Sequence, residues 1–412
     1  MQKRYLALDL GSTYTKCALL DENGVVKSCQ VASPPPICGE DAARYEIDAD
    51  AYMRQAEEML MQMRDSDTVG VLISTQMHGF VLADAKGRPL TPYISWQDRV
   101  GERNLPWISA ALGREATRAA GVPLKANLAL CALLGRVREG LRLPGNAWFH
   151  TLGGYLIFRL TGEHVCHMTN AAPTGLADVR AGGWNRALLR TAGLDGLTLP
   201  RIECALAPVG KWRGLAVYPD LGDQQACALG AQPGEEDALC VAMGTTGLMG
   251  ILTRQWGQGE YENRPWLSPG VYLRTVSALP GGRDMEAVKR FVQSMAAAVM
   301  RQAPSDDAVW DFLCRIPEGH PGEGQSAWQI ARGTPAQFVL ALYEEVAEKY
   351  EKAAARMGIQ PRRLAFIGGV AAKNAALRSA ILRRFPDRPM NVCETMDGMR
   401  ALAKRLNDGG TP

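Results

Sequence analysis

The stretch Tyr5–Lys16, YLALDLGSTYTK, determines how the rest of the chain is interpreted. Leu6–Leu10 is typical of a buried strand, because every residue in it except Asp9 is apolar. Gly11–Thr13 then predicts a turn, and Tyr14–Leu20 predicts a second strand. The sequence therefore predicts a β-hairpin with one carboxylate near the end of its first strand.

An acidic residue at the carboxyl end of a core strand, beside a Gly/Ser/Thr turn and a lysine, suits a metal–nucleotide site. The turn at Gly11 and Thr13 offers backbone N–H groups and a hydroxyl to phosphate oxygens, and Lys16 offers a positive charge. Asp9 has the hard oxygen ligands that a hydrated Mg²⁺ prefers. The alternative is an ordinary hairpin in which Asp9 caps the turn, because short glycine-containing turns are common.

The composition favours a two-domain enzyme, since 412 residues are too many for one core. A formal charge of +3 gives no reason to expect a nucleic acid or membrane partner. We find no apolar run long enough to span a bilayer, and the N-terminus enters a strand without a signal-peptide core. The ten cysteines include no CxxC, and Cys17, Cys131, Cys227 and Cys240 lie in apolar runs. Buried reduced thiols of this kind indicate the cytoplasm.

Polar residues follow the predicted strand Val69–Ser74 in the segment Thr75–Gly79, which contains Gln76, Met77 and His78. The carboxyl end of a core strand is where an α/β sheet usually meets its ligand. The candidate residues continue in Pro92–Arg99, which contains Trp96 and Asp98. An aromatic ring for C–H faces, with amide, carboxylate and imidazole groups for hydroxyls, predicts a sugar site. Taken singly, the Trp96 ring is explained as core packing and the His78 ring as a satisfied buried imidazole, but together they favour the sugar site.

Three helices are predicted on either side of these motifs: Asp50–Met63 before them, and Asn127–Gly140 and Trp148–Thr161 after them. A metal-like cluster follows at His164, Cys166 and His167. On a strand, His164 and Cys166 face one side and His167 the other, and no second pair lies nearby, so a structural zinc is disfavoured.

Asp223 is a further candidate, in the run Asp220–Gly230. It stands where a helix N-cap is expected, before Gln224 and a series of small residues. One interpretation is that Asp223 only caps that helix. The other is that its carboxylate faces a cleft and accepts a proton from a substrate hydroxyl.

The second half begins as the first does. Ala238–Ala242 predicts a strand, Gly244–Gly247 with Thr245 and Thr246 predicts a turn, and Leu248–Leu252 predicts the returning strand. This recurrence indicates two related halves. Each half has a phosphate-sized turn, and together they would hold a nucleotide between them.

Two glycine pairs occur later in this half. Gly281 and Gly282 lead into a predicted long helix, and Gly368 and Gly369 separate the predicted strand Leu364–Ile367 from a helix. A double glycine lets the backbone approach a flat base or ribose next to a helix N-terminus.

At this point the chain resembles the FGGY carbohydrate kinases, of the actin-like ATPase superfamily. The resemblance extends over essentially the whole length and is carried by eight motifs in order: DLGSTYTK at Asp9–Lys16, STQMHG at Ser74–Gly79, SWQDR at Ser95–Arg99, TNAAPTG at Thr169–Gly175, GDQQ at Gly222–Gln225, MGTTG at Met243–Gly247, PGGR at Pro280–Arg283 and IGGVAAKN at Ile367–Asn374. Within the family these elements look most like those of sedoheptulokinases, with xylulokinases next.

The resemblance implies an α/β fold with two ribonuclease H-like domains flanking a central cleft. The first, residues 1–231, would bind sugar and carry the first phosphate turn, and the second, residues 232–412, would bind the nucleotide. It also implies ATP and Mg²⁺ as cofactors. Asp223 matches the general base, Asp9 the carboxylate near Mg²⁺, and Gln76, Met77, His78, Trp96, Asp98 and Gln224 the sugar pocket. Gly11, Thr13 and Lys16 match the first phosphate turn, Gly244, Thr245 and Thr246 the second, and Gly281, Gly282, Gly368, Gly369 and Asn374 the rest of the nucleotide site.

The chain departs from the family pattern in two places. A pocket-roofing segment is reduced to Pro317–Glu323, with Glu318 and His320. Met399 and Arg400 replace small residues that back the adenine site, which puts nucleotide affinity in question. Asp223, Asp9 and both phosphate turns are intact, so we interpret the protein as active.

The main hypothesis is an ATP-dependent ketose kinase that converts sedoheptulose to sedoheptulose 7-phosphate, with D-xylulose or another sugar or polyol as the alternative substrate. One hydroxymethyl group contributes only about 1–3 kcal/mol of discrimination, so the sequence alone separates these sugars poorly. The other hypotheses are a non-catalytic sugar-responsive binding protein and an actin-like ATPase that drives a protein partner. Apart from sugar and ATP, the only partner left open is a second copy of the chain in a homodimer.

Overall fold

The computed structural model describes residues 3–231, 238–244, 246–300, 304–315, 335–358, 360–393 and 396–408. These residues form two compact α/β units. The first unit consists of Met1–Ala226, Glu262–Tyr272 and Gly398–Pro412, and the second of Cys227–Tyr261 and Leu273–Asp397. Two segments of the C-terminal half thus cluster with the first unit.

The strands are β1 (Arg4–Leu10), β2 (Tyr14–Asp21), β3 (Gly24–Ala32), β4 (Glu46–Ile47), β5 (Thr68–Thr75), β6 (Val81–Ala83), β7 (Tyr93–Ile94), β8 (Trp148–His150), β9 (Val165–His167), β10 (Ala177–Asp178), β11 (Gly183–Trp184), β12 (Arg201–Glu203), β13 (Gly210–Trp212), β14 (Leu215–Gly222), β15 (Ala238–Met243), β16 (Gly247–Thr253), β17 (Glu262–Pro265), β18 (Tyr272–Leu279), β19 (Arg363–Ile367) and β20 (Met390–Cys393).

The helices are α1 (Ala49–Met63), α2 (Val100–Leu112), α3 (Ala129–Arg138), α4 (Leu152–Thr161), α5 (Met168–Ala171), α6 (Arg186–Thr191), α7 (Asp223–Ala231), α8 (Gly282–Met300), α9 (Asp306–Arg315), α10 (Pro335–Met357), α11 (Gly369–Lys373), α12 (Ala375–Arg383) and α13 (Asp397–Asn407), with 3₁₀ turns at Arg118–Ala120 and Ala172–Thr174. None of the helices in the described ranges combines the length and the apolar composition that a bilayer crossing requires.

The first unit is organised around a six-stranded sheet in the order β13-β14-β5-β1-β2-β3. β1 pairs with β2 as the predicted antiparallel hairpin, and it pairs with β5 in parallel. Leu6, Leu8 and Leu10 of β1 belong to one buried cluster with Tyr52 and Leu60 of α1 and Tyr155 of α4. Burying a large apolar side chain contributes about 1.5–3 kcal/mol, so this cluster fixes the register of the strands.

The second unit repeats the pattern with the neighbouring strands β18, β16, β15, β19 and β20. β15 and β16 form an antiparallel hairpin, and β15 pairs in parallel with β19. Its core is built from these strands and from α8, α9, α10 and α12. The recurrence of a hairpin beside a parallel strand confirms the two-part α/β architecture that the sequence predicts.

One predicted element is wrong in its first turn. Trp148–Thr161 is not a continuous helix, because Trp148–His150 forms β8 and pairs with β6. The helix begins at Leu152, where the Thr151 hydroxyl accepts a hydrogen bond from the backbone N–H of Gly154 at 3.0 Å. The hydroxyl cap and the aromatic run before it together explain why the chain is a strand until this point.

None of the ten cysteines, all of which the structure describes, forms a disulfide. Cys17, Cys131 and Cys240 are buried as predicted, and Cys227 is half-buried.

Candidate functional site

Strand register brings three predicted segments to one edge of the first sheet. Leu10 of β1 pairs with Thr75 of β5, and Thr75 pairs with Gly222 of β14. These three strands are parallel, so their carboxyl ends coincide. The turn Gly11–Thr13, the run Gln76–His78 and the residue Asp223 follow directly from these ends.

Asp9 is buried and lies one residue before this edge. The Ser74 hydroxyl of the neighbouring strand donates a hydrogen bond to Asp9 Oδ1 at 3.0 Å. Burial raises the pKa of the Asp9 carboxyl, while the Lys16 ammonium and the Ser74 hydroxyl oppose that rise. Lys16 is the cross-strand partner of Asp9 in the β1–β2 hairpin.

Asp223 is the first residue of α7 and is half-buried. Desolvation and the negative charge of Asp9 raise the pKa of Asp223 to about 7, against the backbone N–H of Gln224 and the charge of Arg264. The contact with the N–H of Gln224 favours the ionised form of Asp223, and the capping role considered above stays a prediction. A carboxylate that titrates near neutral pH at the edge of a sheet is, in addition, suited to accept a proton.

Gln76 directly follows β5 and lies at the same edge of the sheet as Asp9 and Asp223. Its Nε2 donates a hydrogen bond to the Tyr52 hydroxyl at 3.1 Å, and that hydroxyl donates to the Gly11 carbonyl at 2.6 Å. Gln76 Oε1 is buried and has no hydrogen-bond partner among the described residues. Its neighbour Met77 is buried against Gly222, where an added Cβ would lie 2.4 Å from the Met77 sulfur. Side chains therefore approach the Asp223 turn closely only because residue 222 is a glycine.

His78 has a left-handed backbone with φ of 71°. A non-glycine residue held in this region is strained, and such residues concentrate at functional sites. Its Nδ1 is buried without a hydrogen-bond partner among the residues that the structure describes. Desolvation and the positive charges of Arg264 and Lys125 lower the pKa of His78 to about 3. The imidazole is consequently neutral at physiological pH and able to donate or accept a hydrogen bond.

The other predicted sugar residues have different environments. Trp96 is half-buried in the turn between β7 and α2. The Asp98 carboxylate is only 2 % exposed, pairs with the Arg136 guanidinium and accepts hydrogen bonds from the backbone N–H groups of Tyr45 at 2.9 Å and Val100 at 3.1 Å. These contacts give Asp98 a structural role, and its contact with a sugar stays a prediction.

Sequence reasoning missed a group of three charges beside the site, of which Glu262 and Arg264 are buried and Lys125 is half-buried. Glu262 of β17 binds Arg264 through Arg264 Nε at 2.7 Å and Nη2 at 2.6 Å, and it also pairs with Lys125. Arg264 Nη1 in turn donates to the Gln224 side-chain oxygen. Although desolvation raises the pKa of Glu262, the charges of Arg264 and Lys125 hold it at about 2. The only sequence signal was an acidic and a basic residue two positions apart in a short strand.

Sequence reasoning also missed Asp220, a fully buried carboxyl within β14. It accepts hydrogen bonds from the His167 backbone N–H at 2.8 Å and from Asn170 Nδ2 at 2.7 Å. The Thr169 hydroxyl of α5 accepts a hydrogen bond from the Gly222 backbone N–H at 3.0 Å. The start of α5 is thereby fixed to the strand end that precedes Asp223. A charged residue inside an otherwise apolar strand was the signal that could have identified Asp220.

Glycine turns come together in the second unit. The Gly282 N–H donates to the Gly244 carbonyl at 2.8 Å, and a Cβ on Gly281 would lie 2.5 Å from the backbone N of Gly247. A Cβ on Gly368 would lie 2.7 Å from the Met243 carbonyl oxygen. The second predicted phosphate turn is thus in contact with both later glycine pairs, and only glycine permits this backbone separation.

The remaining predicted nucleotide residues are distributed as follows. Thr246 and Gly369 lie in these turns, whereas Thr245 lies outside the described residues. Asn374 is buried, and its side chain accepts from Leu377 N at 3.0 Å and donates to the Tyr343 hydroxyl at 2.8 Å. Asn374 therefore caps α12, and its contact with a nucleotide stays a prediction. The roofing segment with Glu318 and His320 lies outside the described residues as well.

The two substituted positions near the C-terminus fall in α13. Met399 is buried, and the Arg400 guanidinium lies beside Gly24, with Nε 3.6 Å from the position of an added Cβ. Their effect on a nucleotide stays a prediction.

The metal-like cluster of the sequence is not assembled. His164 Nε2 lies 3.0 Å from the Phe149 carbonyl oxygen, and His167 Nδ1 lies 2.9 Å from the Thr169 hydroxyl. Among the described residues, no group of three or more His, Cys, Asp or Glu side chains is arranged to hold a metal ion.

The profile of the FGGY family of carbohydrate kinases, N-terminal domain, matches residues 4–216, more than half of the chain. The chain belongs to the FGGY family of carbohydrate kinases. This confirms the family resemblance carried by the sequence motifs.

The chain is also similar to individual relatives and, in its fold, to a solved structure. Glycerol kinase from Nocardia farcinica is 29% identical over 257 residues, which are 57% of this chain and 51% of the relative. The chain thus spans about half the length of this relative. Xylulose kinase from Escherichia coli K12 is 24% identical over 412 aligned residues, covering 89% of this chain and 81% of the relative. The crystal structure of xylulose kinase from Rhodospirillum rubrum covers 99% of this chain and 90% of its own, with a TM-score of 0.84 at 19% identity. This likeness confirms the predicted α/β fold class.

Proposed function

We propose that this protein is an ATP-dependent kinase that phosphorylates the terminal hydroxyl of a ketose, with sedoheptulose and D-xylulose as the first two candidate substrates. The observation that carries the proposal is the Asp223 carboxylate. It lies at the carboxyl edge of the first sheet, with a pKa raised to about 7, beside buried Gln76 and His78 atoms that have no hydrogen-bond partner among the described residues. Relatives described as xylulose kinases support the ketose assignment.

In the proposed reaction the sugar hydroxyl oxygen attacks the γ-phosphorus of ATP, the bond from this phosphorus to the ADP oxygen breaks, and Asp223 takes the hydroxyl proton. A base whose pKa is close to the working pH is most effective, and it typically contributes on the order of 10²–10⁴-fold in rate. Neutral His78, Gln76 and Gln224 would orient the sugar by hydrogen bonds, while Met77 and Trp96 would pack on its C–H faces.

The nucleotide would bind the glycine turns. Backbone N–H groups around Gly11, Thr13, Gly244 and Thr246 suit phosphate oxygens, and Lys16 adds a positive charge. The 19-residue helix α8 begins at Gly282, and a helix N-terminus favours an anion at this position. The turns at Gly281–Gly282 and Gly368–Gly369 would bind the ribose and base.

Asp9 fits the role of an Mg²⁺ ligand in its chemistry. It is a buried carboxylate with a raised pKa, and Mg²⁺ is commonly held by one or two carboxylates together with substrate phosphates and water. When bound with ATP, the ion would screen phosphate charge.

A coupled assay of ADP release across a panel of ketoses and polyols, with mass spectrometry of the products, tests the proposal. We expect sugar-dependent ADP release and a sugar phosphate in equal amount. Asp223→Asn should lower turnover by about 10²–10⁴-fold while sugar and nucleotide binding persist. Asp195→Asn, which changes an exposed carboxylate, is the matched control.

Other outcomes assign other functions. Sugar binding without turnover in the wild type would indicate a sugar-responsive binding protein, and sugar-independent hydrolysis would indicate an ATPase of the actin-like kind. Near-normal turnover of Asp223→Asn would leave Asp223 as a helix cap only.

A further inference from the structure

Two hydrogen bonds join strand β17 to the first turn of α7, which carries Asp223. Arg264 Nη1 donates to the Gln224 side-chain oxygen, and Gln225 Nε2 donates to the Pro265 carbonyl at 3.1 Å. The strand itself is fixed to its unit by the N–H of Asn263, which donates to the Gly121 carbonyl at 2.8 Å. The position of the α7 turn is thus linked to a segment about 40 residues later in the chain.

Arg264 uses both edges of its guanidinium in this arrangement. Nε and Nη2 bind Glu262, while Nη1 reaches Gln224. Its side chain is only 4 % exposed, so the charge is poorly screened by solvent. The charge acts on Asp223 and on His78, two of the residues proposed to face the sugar. The guanidinium therefore borders the proposed carbohydrate site and is not a remote structural group.

We propose that Arg264 is a positioning residue of the carbohydrate site, which holds Gln224 and the first turn of α7 so that the Asp223 carboxylate meets the reacting hydroxyl. The proposal rests on the kinase function proposed above. In this scheme Arg264 contacts neither sugar nor phosphate. It acts through its two partners, Gln224 and Glu262.

The presence of arginine at position 264 is better explained by a positioning role than by a contribution to stability. A buried ion pair is often no more stabilising than well-packed apolar residues of similar volume. The planar guanidinium of arginine, however, can bind a carboxylate on one edge and an amide oxygen on another. A lysine ammonium cannot reproduce this geometry. Without the Arg264 guanidinium, the Gln224 side chain and the turn that carries Asp223 would be free to shift.

The test compares Arg264→Met and Arg264→Lys in the full chain. Arg274→Met is the matched control, because Arg274 is also a buried arginine and its guanidinium binds the carbonyls of Met357 and Gln255 at 2.9 Å, neither of which belongs to α7. For each variant kcat, the KM for sugar, the KM for ATP and the ratio of sugar phosphate to ADP are measured. Circular dichroism and thermal unfolding report whether each variant is folded.

We expect Arg264→Met to lower kcat by on the order of 10²-fold, because a displacement of about 1 Å in a reacting group has this effect. The KM for sugar should rise, the KM for ATP should stay unchanged, and part of the ADP should appear without sugar phosphate. Arg264→Lys should recover part of kcat, and Arg274→Met should keep the wild-type ratio of products.

Wild-type kcat, sugar KM and product ratio in folded Arg264→Met would overturn the proposal. If Arg264→Met does not fold, Arg264→Lys decides: wild-type kinetics overturn the proposal, and an uncoupled product ratio supports it. Failure of the kinase function itself would be seen in the wild type, as no phosphorylation of any carbohydrate, and would overturn both proposals.

Discussion

Asp220→Asn is the substitution whose effect the structure defines best. Asp220 is fully buried in β14, and its neighbours are the His167 backbone N–H, the Asn170 amide and, at 3.3 Å, the Thr151 hydroxyl. Burial raises the pKa of Asp220 from 3.8 to about 7 despite these hydrogen bonds, and no charged group in the described part of the chain offsets this rise.

The contribution of Asp220 to the free energy of unfolding follows from the linkage between protonation and folding. Because the folded chain binds this proton more tightly than the unfolded chain, the contribution to stability is complete below about pH 4 and is lost as the pH rises through 7. Each pH unit between the two pKa values corresponds to about 1.4 kcal/mol, so the contribution that is lost is roughly 4 kcal/mol.

Asparagine removes the titration and alters the hydrogen bonds. It can still accept from His167 N–H, but it presents an NH₂ group to the Asn170 amide, which costs about 1–3 kcal/mol independently of pH. The free energy of unfolding of the variant minus that of the wild type should therefore begin negative near pH 4 and increase by roughly 4 kcal/mol up to pH 8.

Urea unfolding between pH 4 and pH 8, followed by tryptophan fluorescence, measures this difference. Six of the nine tryptophans, at positions 96, 107, 148, 184, 212 and 266, belong to the first unit, so the signal reports mainly on the unit that contains Asp220. Asp195→Asn, at an exposed position, should show the wild-type pH dependence. A difference for Asp220→Asn that does not change with pH would refute the reasoning and show that the hydrogen bonds keep Asp220 ionised throughout.

Two further predictions concern residues with a defined packing role. Gly281→Ala places a Cβ 2.5 Å from the backbone of Gly247 and Thr246, so we expect the KM for nucleotide to rise at least about tenfold and the KM for sugar to stay constant; nucleotide affinity equal to that of the wild type, measured by calorimetry, would contradict the assignment of this turn. Asp98→Ala leaves the buried Arg136 without one of its two carboxylate partners, and we expect a loss of about 3–5 kcal/mol in urea unfolding; unchanged stability with weakened sugar binding would show instead that Asp98 is a sugar ligand.

The first hairpin was predictable because its information is local. An apolar run, a Gly–Ser–Thr turn and a second apolar run specify β1 and β2 without reference to the rest of the chain. The strand β8 was not predictable in this way. Trp148–His150 continues the apolar pattern of the helix after it, and only pairing with β6, about 65 residues earlier, separates the two.

The candidate site likewise contains residues that the local sequence predicts and contacts that it does not. Asp9 and Asp223 were identifiable because Asp9 stands near the end of a recognisable strand and Asp223 stands where a helix N-cap is expected. The environment of Asp223 was not, because Arg264 and Glu262 come from a strand about 40 residues later that carries no motif. The structural use of Asp98 by Arg136 depends likewise on a helix distant in sequence.

The position of the site follows from the register of the neighbouring strands β1, β5 and β14. Asp9 lies beside Ser74, and Ser74 lies beside Leu221, so that the carboxylate and the hydroxyl project to the same face and form a hydrogen bond. A slip of one residue between these strands would turn Asp9 to the opposite face and move Gly222 away from Met77. The apolar cluster under β1 prevents such a slip, because it would expose Leu6 and Leu8. The same leucines that form the core therefore also set which acidic residues meet at the edge of the sheet.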